Sequence, residues 1–449
     1  MRPSLSRSLA AASVALIAAR AGAVERPRYG GTLRMEMQAA PRAFGPAEAP
    51  EQIAGLVFEG LVRLDERGKP QPALAVSWQS SPGMRRWQLH LRPGVKFHDG
   101  TALTPAAVLA SLPASQNGWT AGPISDGIAI RSEHPLPDLL SDLAAPRNAI
   151  ALRAADGALS GTGPFRVAQW EPERRAVLAA NDDYWDGRPF LDSIAIQFGR
   201  SAQQQALDLE LNRADLVEIS PGEVRRVTQG GMKLWSSAPV TLLALVFNAG
   251  DARLREALAL SIDRAAIQNV LLQKQGEPAG GLLPGWLTGY AFLFRTARDT
   301  ARARELAAAA PASAAPLTLS YDGGDAAARS IAERIAVNAR EAGIRLQVTA
   351  QAAKADVRLA RVRIRGVEPA AALAGVAAAL GLGELSDMAS PEACYAAERA
   401  PVEDFRVIPL VHLPEIYASR PAVRIWQTPG LLKTGEWRLE DVWLAPERP

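Results

Sequence analysis

Hydrophobic and polar residues alternate in several short segments of the chain, and this period of two is typical of β-strands. The segment 32–37, directly after Gly30-Gly31, predicts the first strand. The segment 87–91 predicts a half-buried strand that ends at the turn Pro93-Gly94, and Val95 and Phe97 then point inward from a second short strand. Further strands are predicted at 165–167, 177–179, 194–198, 216–219, 243–247 and 344–348.

Apolar residues recur at helical spacing between these strands. Thr104 is placed to cap a helix that runs to residue 112, with Pro105 in its first turn. Other helices are predicted at 52–61, 206–211, 254–260 and 265–272, and one that includes 331–339 ends before Gly343. Residues 113–160 are loop-rich apart from an apolar patch at 136–143. Because strands and helices alternate in both halves, we expect a mixed α/β (α+β) fold in more than one lobe.

The first 23 residues have the pattern of a removable export signal. Arg2 and Arg7 give a positive start, an apolar run follows at 9–19, and Ala21-Gly22-Ala23 offers small residues for cleavage. The apolar run is shorter than the roughly 20 residues that a spanning helix needs. The sequence therefore predicts a signal peptide, residues 1–23, and export through the inner membrane.

The position of the single cysteine bears on whether the exported protein carries a lipid anchor. Cys394 is the only cysteine, whereas a bacterial lipoprotein needs a cysteine directly after cleavage, where Val24 and Glu25 stand. A single cysteine also excludes an internal disulfide. We expect a mature protein that is periplasmic and not lipid-anchored.

Charge and composition indicate a globular chain without a nucleic-acid partner. Of the 50 basic residues, Arg2, Arg7 and Arg20 fall in the signal region, which leaves 47 against 47 acidic residues. A balanced charge gives no electrostatic reason to bind nucleic acid. The length of 449 residues, with 48% hydrophobic content, predicts about three domains or subdomains.

No pattern in the sequence supports catalysis, a metal or a cofactor. The histidines are His90, His98, His134 and His412, and no two of them have metal-ligand spacing. The chain has no Gly-x-Ser-x-Gly elbow and no dinucleotide loop, since Gly161-x-Gly163 lacks a third glycine and reads as a turn. We expect a protein that is not an enzyme and that needs no cofactor or metal.

Three blocks of sequence resemble the family 5 extracellular solute-binding proteins, which serve ABC importers of peptides and nickel. The first is "GLVFEGLVRLDERGKPQPALAVSW" with "WQLHLRPGVKFHDGTALTPAAVLASL", within 55–112. The second is "GTGPFRV" with "NDDYWDGRPFLDSIAI", within 161–196, and the third is "FNAGDARLREALALSIDRAAI", 247–267. The resemblance is clear over roughly 29–290 and looser elsewhere.

The resemblance implies a two-lobe periplasmic binding protein fold of the cluster C type with three subdomains. The first lobe would combine 24–54, 161–245 and 419–449, and an inserted subdomain would span 55–160. The second lobe would span 246–418. The connecting segments would lie near Phe247-Asn248 and near Ser419.

The function that the resemblance implies is capture of a small solute, peptide-like or other, between two lobes and its delivery to the permease of an ABC importer. The protein would act as a monomer. The alternative is a diverged exported protein that kept the binding fold for a signalling or scaffold role and has no dedicated transporter.

The chain departs from the peptide-binding members in the second lobe. Their Trp-rich acidic segment, with an Asp that holds the peptide amine, is not recognisable here. In its place stand 357–363 and an Ala-rich run. An anionic or apolar ligand remains an open alternative, since Arg361 or Arg363 could reach the cleft. For either arginine taken alone, the pattern favours a surface position on an edge strand.

Candidate ligand-binding residues come from the loops and strand ends that would face the cleft. Aromatic residues in such loops can form stacking walls, although each could equally belong to the core. The candidates are Phe44, Ser220, Asn248, Trp286, Tyr290 and His412.

Overall fold

The computed structural model describes most of the chain. The described residues are 26–65, 68–112, 118–153, 157–248, 250–310, 316–350, 355–385, 388, 390–424 and 437–446. The predicted signal peptide, residues 1–23, lies outside them and stays a prediction. Among the described residues, no helix is both long enough and apolar enough to cross a membrane.

Strands and helices alternate along the chain, as predicted. The strands are β1 (Thr32–Glu36), β2 (Val62–Leu64), β3 (Pro70–Pro72), β4 (Ala75–Ser80), β5 (Arg86–Leu91), β6 (Trp119–Ile124), β7 (Gly127–Ser132), β8 (Leu152–Arg153), β9 (Leu159–Ser160), β10 (Phe165–Glu171), β11 (Arg175–Ala180), β12 (Ser193–Gln197), β13 (Leu216–Glu218), β14 (Lys233–Phe247), β15 (Glu277–Pro278), β16 (Leu317–Ser320), β17 (Leu346–Thr349), β18 (Val357–Arg363), β19 (Val407–Ser419), β20 (Val423–Arg424) and β21 (Trp443–Leu444). The helices are α1 (Glu51–Ala54), α2 (Pro105–Ser111), α3 (Leu139–Leu143), α4 (Ala202–Glu210), α5 (Val224–Gln229), α6 (Ala252–Ser261), α7 (Arg264–Ala266), α8 (Gly285–Thr288), α9 (Thr300–Ala309), α10 (Ala326–Glu341), α11 (Pro369–Leu380) and α12 (Pro391–Glu403).

One large sheet runs through the molecule in the order β10-β11-β12-β1-β13-β19-β14-β18-β16-β17, with β15 paired to β19. We call β10-β11-β12-β1-β13 the first half of this sheet and β18-β16-β17 the second half. Among the described strands, β14 and β19 are the two that lie between the halves and contribute to both. β13 pairs with the end of β19 at 417–419, and β18 pairs with the end of β14 at 241–247. A separate four-stranded sheet has the order β4-β5-β7-β6.

Alternation of side chains along the central strands produces a core on each face of the large sheet. In the second half of the sheet, Leu243 and Leu245 belong to a core with α6, α9 and α10. Leu242 and Ala244 face the opposite core, which contains α11. The first half has two cores of its own, and the small sheet has a further core within 61–152. The exact bounds of the predicted subdomains stay a prediction.

The structure corrects several predicted elements. Residues 113–160 contain the hairpin β6-β7, which the loop-rich composition concealed. Val95 and Phe97 are buried, but their segment forms only an isolated bridge between Lys96 and Ala102. The predicted helix at 52–61 is the single turn of α1 followed by turns.

Glycines 161 and 163 are required by close packing of the backbone and not by a ligand. A Cβ atom on either residue would collide with backbone atoms of the segment 56–57. The Gly163 N–H donates to the Val57 oxygen at 3.0 Å, and Asn181 Nδ2 donates to the Gly163 oxygen at 3.0 Å. The prediction of a structural turn at this motif is therefore confirmed.

A buried carboxyl anchors the loop that follows β15. Glu398 on α12 is fully buried and accepts hydrogen bonds from the backbone N–H groups of Leu282 and Leu283. The hydroxyl of Tyr290 lies beside the same carboxyl group. Burial raises the pKa of Glu398 to about 7, and these hydrogen bonds oppose the rise.

Glu398→Gln tests this anchor through the pH dependence of stability. A carboxyl whose folded-state pKa is raised from 4.5 to about 7 stabilises the fold below pH 4.5, and this contribution is lost as the pH rises through 7. Glutamine keeps an acceptor oxygen but has no charge to bury. We expect the variant to gain roughly 3 kcal/mol relative to the parent between pH 4.5 and 8, measured by urea unfolding.

Glu403→Gln, which removes an exposed carboxyl that pairs with Arg399 on the same helix, is the matched control for the loss of a carboxyl group. Parallel pH profiles for Glu398→Gln and the parent protein would contradict the prediction. The titration of the nearby His412 contributes to all three pH profiles, because the parent and both variants contain this histidine.

Candidate functional site

The two long strands β14 and β19 lose their regular pairing where they pass from one half of the sheet to the other. Pro239 and Pro414 lie opposite each other in the ladder, and the register shifts on both sides of Pro239. Proline has no N–H group, so this pair removes backbone donors from both strands at one point. We call this place the crossing.

Side chains replace the missing backbone hydrogen bonds at the crossing. Trp286 on α8 donates its indole N–H to the Pro239 oxygen at 2.7 Å. The Glu415 N–H donates to Ser237 Oγ at 2.8 Å. The crossing is thus held by side-chain contacts, which can rearrange more easily than a continuous ladder.

Charged and aromatic side chains from both halves of the sheet meet at the crossing. Arg363, the last residue of β18, forms an ion pair with Glu415. Tyr417 donates its hydroxyl to Glu415 Oε2 at 2.7 Å, and its pKa is raised by burial and by the charge of Glu218. We call Glu218, Trp286, Arg363, Glu415 and Tyr417 the crossing cluster.

Glu218 brings the first half of the sheet into the cluster. It ends β13, which is parallel to β1, and the carboxyl ends of parallel strands are where α/β proteins place binding sites. Its Oε2 accepts the Gln38 N–H at 2.6 Å, and its own N–H donates to Gln205 Oε1 at 2.8 Å. Burial raises the pKa of Glu218, while Arg363 and the hydrogen bonds lower it.

The cluster offers a solute groups of both charge signs. It contains one guanidinium, two carboxyl groups, a phenol and an indole, and the side chains of Arg363 and Glu415 are 22% and 20% exposed. Such a set can hydrogen-bond a polar solute that carries donors and acceptors. Within the described residues, no group of three or more metal-ligating side chains occurs.

A further contact joins the two halves beside this cluster. Gln273, which follows the π-helical turn Ile267–Leu271, donates its side-chain amide to the Gly222 oxygen at 2.8 Å. Gly222 belongs to the short turn that starts after Ser220, whose oxygen accepts the Glu223 N–H. The two halves therefore touch next to the end of β13.

The structure brings together only some of the six candidate ligand residues. Trp286 belongs to the cluster, and Ser220 follows Glu218 by two residues. Phe44 instead packs its ring 5.2 Å from Trp170 and 6.1 Å from Phe58 in the first core.

The other three candidates lie in the second half of the sheet. Asn248 follows the far end of β14, where its side-chain amide donates to the Ala355 oxygen and its backbone N–H to the Asp356 oxygen. The connecting segments expected near Phe247-Asn248 and near Ser419 stay a prediction. Tyr290 packs against Tyr395 at 5.3 Å. The ligand role of all six candidates stays a prediction.

His412 is buried in the second half, where its Nε2 lies 3.1 Å from the Leu282 oxygen. Burial lowers the pKa of this histidine to about 4, so the ring is neutral at physiological pH. A neutral ring bonded to the protein backbone fits packing better than contact with a charged solute.

Sequence reasoning missed Glu218, Glu415 and Tyr417. The available signal was a carboxylate directly after Pro414 inside an otherwise apolar strand. Of the two arginines considered, Arg363 lies in the cluster and Arg361 pairs with Asp325 at 2.9 Å. Their strand β18 lies between β14 and β16 and is not an edge strand, which corrects that expectation.

Comparison with known proteins adds a family assignment to this geometry. Residues 69–373 match the model of the middle region of the bacterial extracellular solute-binding proteins, family 5. The nickel-binding protein NikA of Staphylococcus aureus is 25% identical over 270 residues, which cover 56% of this chain and 55% of that protein. The glutathione-binding protein GsiB of Pectobacterium atrosepticum is 25% identical over 352 residues, which cover 71% and 68%.

Solved structures show the same fold. NikA of Brucella suis in complex with Fe(III)-EDTA superposes with a TM-score of 0.79 at 21% identity, covering 92% of this chain and 100% of that one. DppA of Helicobacter pylori in complex with the peptide STSA gives 0.75 at 18% identity, covering 93% and 99%. The predicted mixed α/β, two-lobe binding-protein fold is confirmed. The chain aligns with only about half the length of the first curated relatives.

A double-mutant cycle tests the ion pair of the crossing cluster. We expect Arg363→Met and Glu415→Gln to be coupled by roughly 1 to 2 kcal/mol in urea unfolding, because both side chains are mostly buried. The exposed pair Arg329 and Glu333 on α10, treated in the same way, should show a clearly weaker coupling, because water screens both charges. Equal coupling in the two cycles would mean that the crossing pair adds no special stability.

Proposed function

The chain belongs to the bacterial extracellular solute-binding proteins of family 5, and from this we propose that it captures a small solute at the crossing. The observation that carries the proposal is the convergence of the crossing cluster, from both halves of the sheet, at the point where the two long strands lose their regular ladder. A site of this kind can enclose a solute from two sides and exclude water from it.

Closure of the two halves is the proposed mechanism of capture. Since the regular ladder is interrupted at Pro239 and Pro414, the two halves can rotate about the crossing without disrupting the cores of either half. A solute shifts the balance towards the closed form only by its greater affinity for that form. The hydrogen bond from Gln273 to Gly222, which joins the two halves in this structure, is the kind of contact between halves that would contribute to that difference.

The proposed solute is a small polar molecule, peptide-like or other. Relatives are named for nickel, glutathione and di- or tripeptides, so the fold serves several ligand classes. Here Arg363 and two carboxylates stand together, which suits a solute that presents both a cationic and an anionic group. A ligand with only one charge would leave part of the cluster without a partner.

We further propose that the mature protein acts in the periplasm as a monomer without catalytic activity. The predicted signal peptide, residues 1–23, and the position of Cys394 far from it favour export without a lipid anchor. Delivery of the solute to the permease of an ABC importer follows from the family, whose members are binding proteins and not enzymes.

A thermal-shift screen tests capture. The purified protein would be exposed to dipeptides, nickel chelates, tetrapyrroles and oligosaccharides, and a ligand that binds only the native state must raise the melting temperature. At 100 times the Kd the stabilisation is about 2.7 kcal/mol, which a melting curve resolves easily. An unchanged melting temperature with all four ligand classes would contradict solute capture and favour the alternative, a signalling or scaffold role.

Trp286→Ala tests the location of the site. The variant loses an aromatic wall and the bond to Pro239, so we expect binding of the ligand from the screen to weaken about tenfold or more by calorimetry. Trp78→Ala, a half-buried tryptophan of the small sheet, is the matched control and should retain affinity. If Trp286→Ala bound the ligand with unchanged affinity, the crossing would be ruled out as the binding site.

A further inference from the structure

A cavity lies away from the crossing, beside the start of β19. Its volume is about 670 Å³, and it is bordered by α6, α9, α12 and the start of β19. β15 pairs with β19 at residues 411–412, and the Ala279 N–H donates to the Leu410 oxygen at 3.0 Å. Residues 407–409 of β19, which precede this paired part, line the cavity. No residue of the crossing cluster lines the cavity.

Arg264 lines this cavity and is only 6% exposed. Its Nε donates to the Pro409 oxygen at 2.8 Å, and its Nη1 lies 3.3 Å from the Ala259 oxygen. A guanidinium carries five N–H donors, so these two carbonyls leave other donors of Arg264 without a protein acceptor in the described part of the chain.

The charge of Arg264 also lacks a counter-ion. Across the described residues, no carboxylate forms an ion pair with this guanidinium, whereas Arg302 and Arg399 each have one carboxylate partner and Arg298 has two. Burial lowers the pKa of Arg264 to about 10, and no neighbouring charge offsets the effect. A buried charge without a partner is costly, and an anion in the cavity would supply the missing partner.

The rest of the lining suits an anion with an apolar body. Arginines outnumber carboxylates around the cavity: the arginines are Arg264, Arg295, Arg298, Arg302 and Arg399, and the carboxylates are Glu256, Asp299 and Glu403. Asp299 already accepts the Arg302 N–H at 2.9 Å.

An aromatic wall completes this lining. The rings of Phe294 and Tyr395 lie 5.4 Å apart, and the Arg399 guanidinium lies 5.8 Å from the Tyr395 ring. The two rings are tilted by 54°, and aromatic rings next to a guanidinium favour an apolar or aromatic ligand body.

We propose that this cavity is a second binding site, for a small organic anion whose carboxylate or phosphate group contacts Arg264 and whose apolar body packs on Phe294 and Tyr395. Its volume lies within the range of ordinary small-molecule sites. The guanidinium can bind either oxyanion in the same bidentate way, so carboxylate and phosphate are separate arms of the test.

The test titrates the purified protein with benzoate, phenyl phosphate and inorganic phosphate at constant ionic strength, with benzamide as the neutral control. We expect benzoate or phenyl phosphate to bind by calorimetry and benzamide to be silent. Binding of inorganic phosphate as tight as that of phenyl phosphate would contradict the role of the aromatic wall. Silence of both organic anions at millimolar concentration would overturn the site.

Charge reversal locates the binding. Arg399→Glu at the cavity rim should weaken the anion on the order of tenfold. Arg329→Glu is the matched control, because both arginines are exposed and pair with a glutamate four residues later on a helix, but Arg329 lies outside the cavity. Equal affinity in the two variants would overturn the proposal.

Arg264→Met probes the buried charge itself. If circular dichroism shows a native fold, anion binding should be lost, and retained binding in a folded variant would again overturn the site. If the variant does not fold, because the Pro409 and Ala259 carbonyls have lost their donor, the comparison of Arg399→Glu with Arg329→Glu decides the question alone.

Discussion

Two prolines that face each other, Pro239 and Pro414, interrupt the two long strands that both halves of the large sheet share in the described part of the chain. Without backbone donors at this point, the ladder cannot continue, and Ser237 and Trp286 supply hydrogen bonds in its place. The break leaves the cores of both halves intact, since each core lies on one side of the crossing. The proposed site and the proposed closure both depend on this interruption.

The two arginines Arg363 and Arg264 show how burial and pairing separate two kinds of site in one sheet. Arg363 lies at the crossing with Glu415 as its counter-ion and with carboxylates from both halves nearby. Arg264 lies beside the start of β19 with only carbonyl partners. A paired charge can exchange its partner for a solute group, whereas an unpaired buried charge gains a partner when an anion binds.

Much of the fold could be predicted because local patterns carry it. Thr104 caps α2 as expected, with Oγ1 accepting the Ala107 N–H. Alternation located β1, β5 and β13, and three sequence blocks indicated the family. The hairpin β6-β7 was missed because its strands contain Gly122, Pro123 and Gly127, which read as loop. The beginning of β14 was missed because residues 233–239 are only partly buried and do not alternate.

The sequence by itself determined the export pattern expected at residues 1–23, the mixed α/β fold and the family, since these depend on residues that are near each other in the chain. Only the tertiary structure decided which side chains meet at the crossing, where we propose the site. Glu218 and Arg363 are far apart in sequence, and their meeting depends on the strand order β13-β19-β14-β18. The structure also decided that Asn248 and His412 lie away from the proposed site, because strand register and burial, which place these side chains, are properties of the packed sheet.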